Sequence, residues 1–251
     1  MKKNIILYAS LLALATSLNG YATVKNSGET HKLVFDNWVI HYNCDHRGYE
    51  FFYYTAGADT GNLERYKPFH QENQLPKYCR QKSTSTYKLP KNFPLSYDRG
   101  HGVHQNIWDH SRELMKQSNS MANIVPQASK LNRRGAWRQT EKLTECWRDK
   151  GDVAVHGGVI WGSDKSNDHF KSSHGVTTPD YLYKIIQFHD GGVNAWIFPN
   201  NNEPTVENID NYLVSPADIT ELTGIIYNIP IIKVNVAAKT TRDLPVGCSL
   251  K

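Results

Sequence analysis

Runs of apolar, β-branched and aromatic residues predict five strands along this chain. Residues 33–42 and 49–55 are two such runs separated by a short polar loop, a pattern typical of paired strands. Residues 153–161 form an apolar run that is short enough for a buried strand. Residues 181–189 and 193–198 flank the sequence Asp-Gly-Gly, which predicts a hairpin.

Three further segments carry the spacing or the end signals of helices. The first helix is predicted over residues 109–118. The second, over residues 133–148, repeats core-facing residues at i, i+4, i+7 and i+11, namely Ala136, Thr140, Leu143 and Trp147. The third begins after Ser215, which is followed by a proline and then an acid, and it ends at Gly224.

Strand pairs interspersed with a few helices indicate an α+β fold. We expect a single domain with a largely antiparallel central sheet flanked by helices. The 251 residues, 39% of them hydrophobic, are enough for one compact core. The 6 Trp, 14 Tyr and 8 Phe exclude a disordered chain. A net charge of +5 favours a polyanionic partner without requiring one.

The start of the chain has the pattern of a secretory signal peptide. Two lysines precede an apolar stretch over residues 5–18. Within residues 20–22, Gly20 and Ala22 place small side chains at the two positions that a signal peptidase recognises. The stretch is short and interrupted by hydroxyl residues, which argues against a membrane anchor. We therefore expect a signal peptide over residues 1–22, a domain over residues 23–251, no membrane association after cleavage, and a periplasmic or secreted protein.

Four cysteines follow this leader. An even number in an exported chain predicts two disulfides, for which three pairings exist. Their wide spacing argues against a zinc site or a redox motif. We predict Cys44–Cys79, both in the N-terminal region, and Cys146–Cys248, which would fasten the C-terminus.

Residues 97–141 contain the kinds of side chain that phosphodiester hydrolysis needs. A base must deprotonate water, and histidine has a suitable pKa. A hard cation must neutralise charge on the phosphate, and the oxygens of Asn and Glu suit Mg²⁺. Arginine binds the phosphate through charge-assisted hydrogen bonds. All of these groups occur in this one segment.

The order of these groups resembles the DNA/RNA non-specific endonuclease family, which has a ββα-metal active site and includes mitochondrial endonuclease G. Residues 98–101 match its DRGH motif, and residues 123–127 match its N-I-x-P-Q segment. Asn132 matches its metal-site Asn ahead of a G-x-W sequence, here ending at Trp137, and Glu141 matches the Glu four residues later. Weaker similarities extend the resemblance over most of the domain. The family's nuclease fold is thereby implied for this domain.

The resemblance implies one Mg²⁺ ion, for which Mn²⁺ can substitute, and a general base. His101 would be the base. Asn132 would be the direct protein ligand of the ion, and Glu141 would hold the ion's water. An Asn just before a helix usually caps that helix, and this role is compatible with binding the ion.

Three matched residues would support the chemistry. The resemblance implies that Asp98 and Arg99 support the site, with Arg99 near the phosphate. It also implies that Asn123 orients His101 or the substrate backbone. Arg80 is a candidate for an arginine that the family brings from upstream.

The chain departs from the family pattern in two places. Two arginines separate Asn132 from Gly135, where the family often has one residue. In one straight helix the Cα atoms of Asn132 and Glu141 would lie about 13.5 Å apart, so they can share a hydrated ion only if the helix begins later or is distorted. Glu145 stands where some relatives have an arginine. Another cation must therefore contact the phosphate, or the protein binds the phosphate more weakly.

A basic stripe accompanies Glu141 on the predicted helix. Arg134, Arg138 and Lys142 recur at i, i+4 and i+8. Such a stripe is usually a solvated face, but here it would equally suit a nucleic acid backbone. We therefore include these three residues among the candidate substrate-binding residues.

These observations predict an exported, Mg²⁺-dependent endonuclease that hydrolyses DNA and RNA without strong sequence preference and leaves 5′-phosphate ends. Two alternatives stay open at this point. One is a non-catalytic nucleic-acid-binding protein of the same fold, and the other is a metal phosphoesterase that acts on small nucleotides. The sequence makes no prediction of oligomeric state.

Overall fold

A computed structural model describes residues 28–228 and 234–248 of the chain. Its strands, in chain order, are β1 (Thr30–Val34), β2 (Trp38–Asn43), β3 (Gly48–Ala56), β4 (Tyr97–His101), β5 (Ile124–Ala128), β6 (Val153–Ile160), β7 (Tyr181–Gln187) and β8 (Val193–Pro199). Its α-helices are α1 (Arg112–Ser118), α2 (Ser129–Arg134), α3 (Ala136–Trp147) and α4 (Pro216–Thr223).

Six strands form one antiparallel sheet in the spatial order β1-β2-β3-β6-β7-β8. Because side chains alternate along a strand, β7 contributes to both faces of this sheet. Leu182 and Ile186 pack in the core that contains Trp137 and Leu143 of α3. Tyr183 packs on the opposite face, in the core that also contains residues of α4. Helices therefore cover both faces, and the predicted α+β fold is confirmed.

Two local predictions are confirmed and two need adjustment. The hairpin β7–β8 forms as expected, and α4 begins at a capping box in which Ser215 Oγ accepts a hydrogen bond from the backbone of Asp218. The first helix begins only at Arg112, because the preceding Ser111 caps it. The predicted strand over residues 33–42 is in fact two strands, β1 and β2. A turn containing Asp and Asn separates them, and these residues favour turns over strands.

The predicted helix over residues 133–148 is interrupted at Gly135. Its backbone is extended there (φ −94°, ψ −161°), so α2 ends before it and α3 begins after it. Ala136 donates its backbone N–H to the carbonyl of Pro204 over 3.2 Å. A Cβ atom at Gly135 would lie 2.6 Å from that carbonyl oxygen. The break therefore depends on a glycine and on a contact with a distant loop.

Both predicted disulfides, Cys44–Cys79 and Cys146–Cys248, are present. The second joins α3 to the C-terminal segment of the described chain. No helix within residues 28–228 and 234–248 combines the length and the apolar character needed to cross a bilayer. The predicted signal peptide over residues 1–22 lies outside the described residues.

Candidate active site

The residues of the DRGH motif lie on a small separate sheet. Strand β4 pairs antiparallel with β5, and α2 follows β5 directly, so the unit has the order strand, strand, helix. Gly100 of β4 lies against Gln127 of β5, where an added Cβ would be 2.4 Å from the Cβ of Gln127. Glycine at this motif position therefore lets the two strands approach with the Gln127 side chain buried between them.

A polar cleft of about 410 Å³ lies beside this unit. It brings together the predicted residues Arg99, His101, Asn132, Arg138 and Glu141. These residues come from β4, α2 and α3, so the break at Gly135 lets two helices contribute to one cleft.

His101 is held in one orientation by Asn119. Its Nε2 lies 2.9 Å from Asn119 Oδ1. The amide nitrogen of Asn119 donates to the carbonyls of Tyr66 and Pro68 over 2.8 and 3.0 Å, which fixes the oxygen towards the histidine. A carbonyl oxygen only accepts, so Nε2 carries the proton and Nδ1 of the neutral ring has the free lone pair.

Burial keeps His101 neutral. The side chain is almost inaccessible, and its desolvation, with the nearby positive charge of Arg65, lowers the pKa of His101 to about 3. At neutral pH the imidazole is therefore unprotonated, and its Nδ1 has the free lone pair that a general base requires.

Asp98 orients the amide of Asn132. Asn132 Nδ2 donates to Asp98 Oδ2 over 3.0 Å, and Ser129 Oγ donates to Oδ1 over 3.0 Å. Arg133 forms an ion pair with the same carboxylate. Burial alone raises the pKa of Asp98, but these hydrogen bonds outweigh it and lower the pKa below its usual value. Since its nitrogen is used by Asp98, Asn132 keeps Oδ1 as the atom available for a cation.

Glu141 supplies the second oxygen donor of the cleft. Its side chain is 10% exposed, and Oε2 accepts a hydrogen bond from Arg138 Nη1 over 3.1 Å. An amide oxygen and a carboxylate oxygen beside a polar cleft are hard donors of the kind that Mg²⁺ prefers, and this ion usually keeps several waters. Asn132 and Glu141 therefore fit the divalent ion that the family implies.

Arg99 lines the cleft with a fixed guanidinium. Its Nη1 donates to the carbonyl of Thr84 over 2.8 Å, and its planar group lies 3.7 Å from the centre of the Phe69 ring. Stacking on an aromatic face preorganises the cation, which suits it to contact a phosphate.

Asn123 and Arg80 are not placed as the resemblance implied. Asn123 is fully buried, and its amide bonds the backbone of Val103 and Ser118. It therefore cannot touch substrate, and it braces the segment after His101 rather than the imidazole itself. Arg80 lies outside the cleft and donates to the carbonyls of Leu75 and Asn73, which stabilises its own loop.

The basic stripe is not a single helical face. Because the helix breaks at Gly135, Arg134 lies on α2 whereas Arg138 and Lys142 lie on α3. Of the three cations, only Arg138 lines the cleft, where it forms ion pairs with two glutamates. Arg134 is exposed and Lys142 is half-buried outside the cleft.

Two residues of the site carried no recognisable signal in the sequence. Asn119 is placed by carbonyls that lie about fifty residues earlier in the chain. Arg65 belongs to a long irregular segment and reaches the cleft only through the path of that segment. Neither residue has a local pattern that would have marked it.

Comparisons with known proteins identify the family and the fold. The model of the DNA/RNA non-specific endonuclease family matches residues 17–230. None of the curated protein sequences compared with this chain matches it. Among solved structures, the fold is similar to a chain in a crystal structure of the EndoG/EndoGI complex that describes EndoG inhibition. The identity is 20%, the TM-score is 0.61, and the match covers 80% of this chain and 86% of that one. The chain belongs to the DNA/RNA non-specific endonuclease family, a family of nuclease enzymes.

Proposed function

We propose that this nuclease is exported, depends on Mg²⁺, cuts DNA and RNA without strong sequence preference, and leaves 5′-phosphate ends. One observation carries the proposal: a neutral His101, oriented by Asn119, lies in the same cleft as Asn132 and Glu141. A base and a pair of oxygen donors are the groups that metal-assisted hydrolysis of a phosphodiester needs, and their presence in one cleft supports the proposal.

His101 performs the proton transfer. Its Nδ1 takes a proton from the attacking water, while Nε2–H stays hydrogen-bonded to Asn119, so the ring keeps its orientation as its charge changes. Arg99 and Arg65 place positive charge in the cleft for the phosphate. Contacts of this kind read the backbone rather than the bases, which accounts for weak sequence preference.

Asn132 would hold the divalent ion directly, and Glu141 would hold water that is bound to the ion. When bound, Mg²⁺ supplies positive charge that stabilises the phosphate in the transition state and the leaving 3′-oxygen. Departure of that oxygen leaves the phosphate on the 5′ end of the other fragment. Asp98 keeps the Asn132 amide oriented, and Arg138 contacts Glu141 from the side.

The decisive experiment is digestion by the purified mature chain. Duplex DNA, single-stranded DNA and RNA are incubated with Mg²⁺, with EDTA, and with EDTA followed by excess Mg²⁺. The proposal predicts cleavage of all three polymers, loss of cleavage with EDTA and recovery when Mg²⁺ is added back. It also predicts that a folded His101→Ala variant cleaves roughly two to four orders of magnitude more slowly. Binding without cleavage would favour the non-catalytic alternative. Hydrolysis of mononucleotide esters but not of polymers would favour the small-nucleotide phosphoesterase.

The end chemistry and the export are tested separately. DNA ligase joins fragments only when they carry a 5′-phosphate and a 3′-hydroxyl, so religation of limited digests tests the polarity of cleavage. Export predicts mature protein that begins after Ala22, with both disulfides present in peptide maps made without reductant. Four free thiols in periplasmic protein would contradict export through an oxidising compartment.

A further inference from the structure

A buried carboxylate lies directly behind the cleft. Glu145 follows Glu141 by one turn of α3, and its side chain is 4% exposed. Arg138 donates from Nη1 to Oε1 over 2.8 Å and from Nη2 to Oε2 over 3.4 Å, so Glu145 takes both branches of the guanidinium. His104 Nε2 lies 3.4 Å from the same Oε1 atom.

The same arginine also reaches Glu141. Arg138 Nη1 donates to Glu141 Oε2 over 3.1 Å, so one cation is shared between two carboxylates. The division is unequal, because Glu145 receives two hydrogen bonds and Glu141 receives one. The Arg138 side chain is still 27% exposed and forms part of the cleft wall.

This division decides what Glu141 can bind. An arginine and a carboxylate prefer to form two parallel hydrogen bonds, which occupy both carboxylate oxygens. If Arg138 gave both branches to Glu141, that carboxylate would be neutralised and its oxygens would be filled. Since Glu145 holds the guanidinium from the buried side, Glu141 keeps lone pairs that can accept hydrogen bonds from the water of a divalent ion.

We propose that Glu145 is a positioning residue that holds Arg138 away from a full ion pair with Glu141. Glu141 thereby remains able to hold the water of a divalent ion, and Arg138 remains a fixed cation of the cleft wall. The inference rests on the proposed function in one respect, because it takes the ion to bind Asn132 directly and Glu141 through water. Although burial raises the pKa of Glu145, the neighbouring His104 and Arg138 outweigh this and lower it to about 2. The carboxylate is thus charged under all ordinary conditions.

A double-mutant cycle tests the proposal with Mn²⁺ as the probe and no nucleic acid present. Calorimetry is carried out on the wild type, Glu145→Gln, Arg138→Gln and the double variant. Loss of a group that supports a metal ligand typically weakens affinity by roughly 10–100-fold, and we expect this for Glu145→Gln. Arg138→Gln should retain Mn²⁺ binding, and the double variant should bind Mn²⁺ as Arg138→Gln does. Glu221→Gln, at an exposed position on α4, is the matched control and should bind like the wild type.

Several results would overturn the inference. One is an unchanged Mn²⁺ affinity in Glu145→Gln. Another is a loss of Mn²⁺ affinity from Glu145→Gln that is just as large when Arg138 is already replaced by Gln. A third is a loss of Mn²⁺ affinity in Arg138→Gln alone. If Glu145→Gln does not fold by circular dichroism, the comparison of Arg138→Gln with the wild type still decides, because removing the competing cation must not weaken Mn²⁺ binding. A wild type that binds Mn²⁺ but cleaves no polymer would refute the proposed function while leaving the cycle readable. Normal cleavage together with equal Mn²⁺ affinities in all four proteins of the cycle would refute the inference but not the proposed function.

Discussion

His101 and Asn119 form a pair in which the proton can have only one position. Both amide hydrogens of Asn119 are donated to backbone carbonyls, so its oxygen accepts from the Nε2–H of His101. The basic atom of the site is thereby fixed as Nδ1. The tautomer is set by a residue that touches neither substrate nor metal in the proposed mechanism.

Replacing Asn119 with alanine should therefore lower kcat without abolishing binding. The ring would lose the hydrogen bond that fixes its tautomer and orientation. We expect a decrease of roughly ten- to a hundredfold, smaller than the two to four orders of magnitude expected for His101→Ala, because the base itself remains. Steady-state kinetics on duplex DNA at saturating Mg²⁺ measures both. Wild-type kcat in a folded Asn119→Ala variant would show that the pair has no positioning role.

The low pKa of His101 predicts an unusual pH profile. An ordinary histidine would be largely protonated, and useless as a base, below about pH 6. Burial and the charges of Arg65 and Arg99 lower the pKa of His101 to about 3, so it stays neutral as the pH falls from 8 to 5. At saturating Mg²⁺, kcat/KM, whose pH dependence reports the free enzyme, should show no acidic limb with an apparent pKa near 6.5. Such a limb would place His101 in a far more solvated environment.

Arg65 and Arg80 form a matched pair for testing phosphate contacts. Arg65 lines the cleft and is exposed, whereas Arg80 is hydrogen-bonded within its own loop outside the cleft. In a His101→Ala background, Arg65→Gln should reduce the slope of log K against log salt on duplex DNA by roughly 0.9, the value for one lost phosphate contact. Arg80→Gln should leave the slope unchanged. Equal slopes for the two variants would remove Arg65 from the binding surface.

Lys184 should be a destabilising charge in the core. It is fully buried on β7, its Nζ lies 3.7 Å from the centre of the Trp137 ring, and Nζ has no hydrogen-bond partner among the described residues. Desolvation lowers the pKa of Lys184 to about 8. Each unit by which the pKa of a lysine is lowered corresponds to about 1.4 kcal/mol by which folding disfavours its charged form. Lys184→Met should therefore raise the free energy of unfolding at pH 7.

The stabilisation that we expect from Lys184→Met should decrease as the pH rises above 8. The pKa of Lys184 is lower in the folded protein than in the unfolded chain, so the penalty is complete below pH 8. Above pH 8 the folded state has lost this proton while the unfolded chain still binds it, and the penalty declines towards the unfolded pKa. Urea unfolding at pH 7 and pH 10 should show a smaller gain at pH 10. The exposed Lys91→Met variant should show no gain at either pH, and an equal gain for Lys184→Met at both would contradict this account.

The Cys146–Cys248 disulfide should contribute substantially to stability. It joins residues 102 positions apart, and closing a loop of that size stabilises a fold by up to about 5 kcal/mol in the chain-entropy description. Replacing both cysteines with serine should lower the free energy of unfolding by several kcal/mol. Denaturant unfolding of oxidised wild type and variant measures the difference. Identical midpoints with identical slopes would show that the cross-link does not constrain the unfolded chain.

Much of the fold is encoded by residues that are adjacent in the sequence. The feature that could not be predicted depends on a contact between distant parts of the chain. The hairpin β7–β8 and helix α4 were predictable because their turn and cap residues are adjacent to the elements that they delimit. The break at Gly135 was not predictable, since it depends on a contact with Pro204 far along the chain. Both conditions offered for how Asn132 and Glu141 could share an ion are met by this break, because Asn132 lies on α2 and the helix that carries Glu141 begins only at Ala136.

The site, like the fold, could be predicted only where it depends on residues close together in the sequence. Motif spacing brought Arg99, His101, Asn132 and Glu141 to one cleft because all lie on elements that pack next to one another. Spacing could not show that Arg138 would be paired with Glu145, because the pairing depends on burial. It also could not reveal Asn119, whose function depends on the carbonyls of Tyr66 and Pro68.

The extended backbone at Gly135 also makes the site tolerant of insertions. A residue added within a continuous helix rotates every later side chain by about 100° around the axis, which would carry a downstream ligand away from its partners. Here the orientation of α3 is set by its own buried residues, among them Trp137 and Leu143, and not by the phase of α2. An additional arginine between Asn132 and the glycine is therefore absorbed where the two helices join.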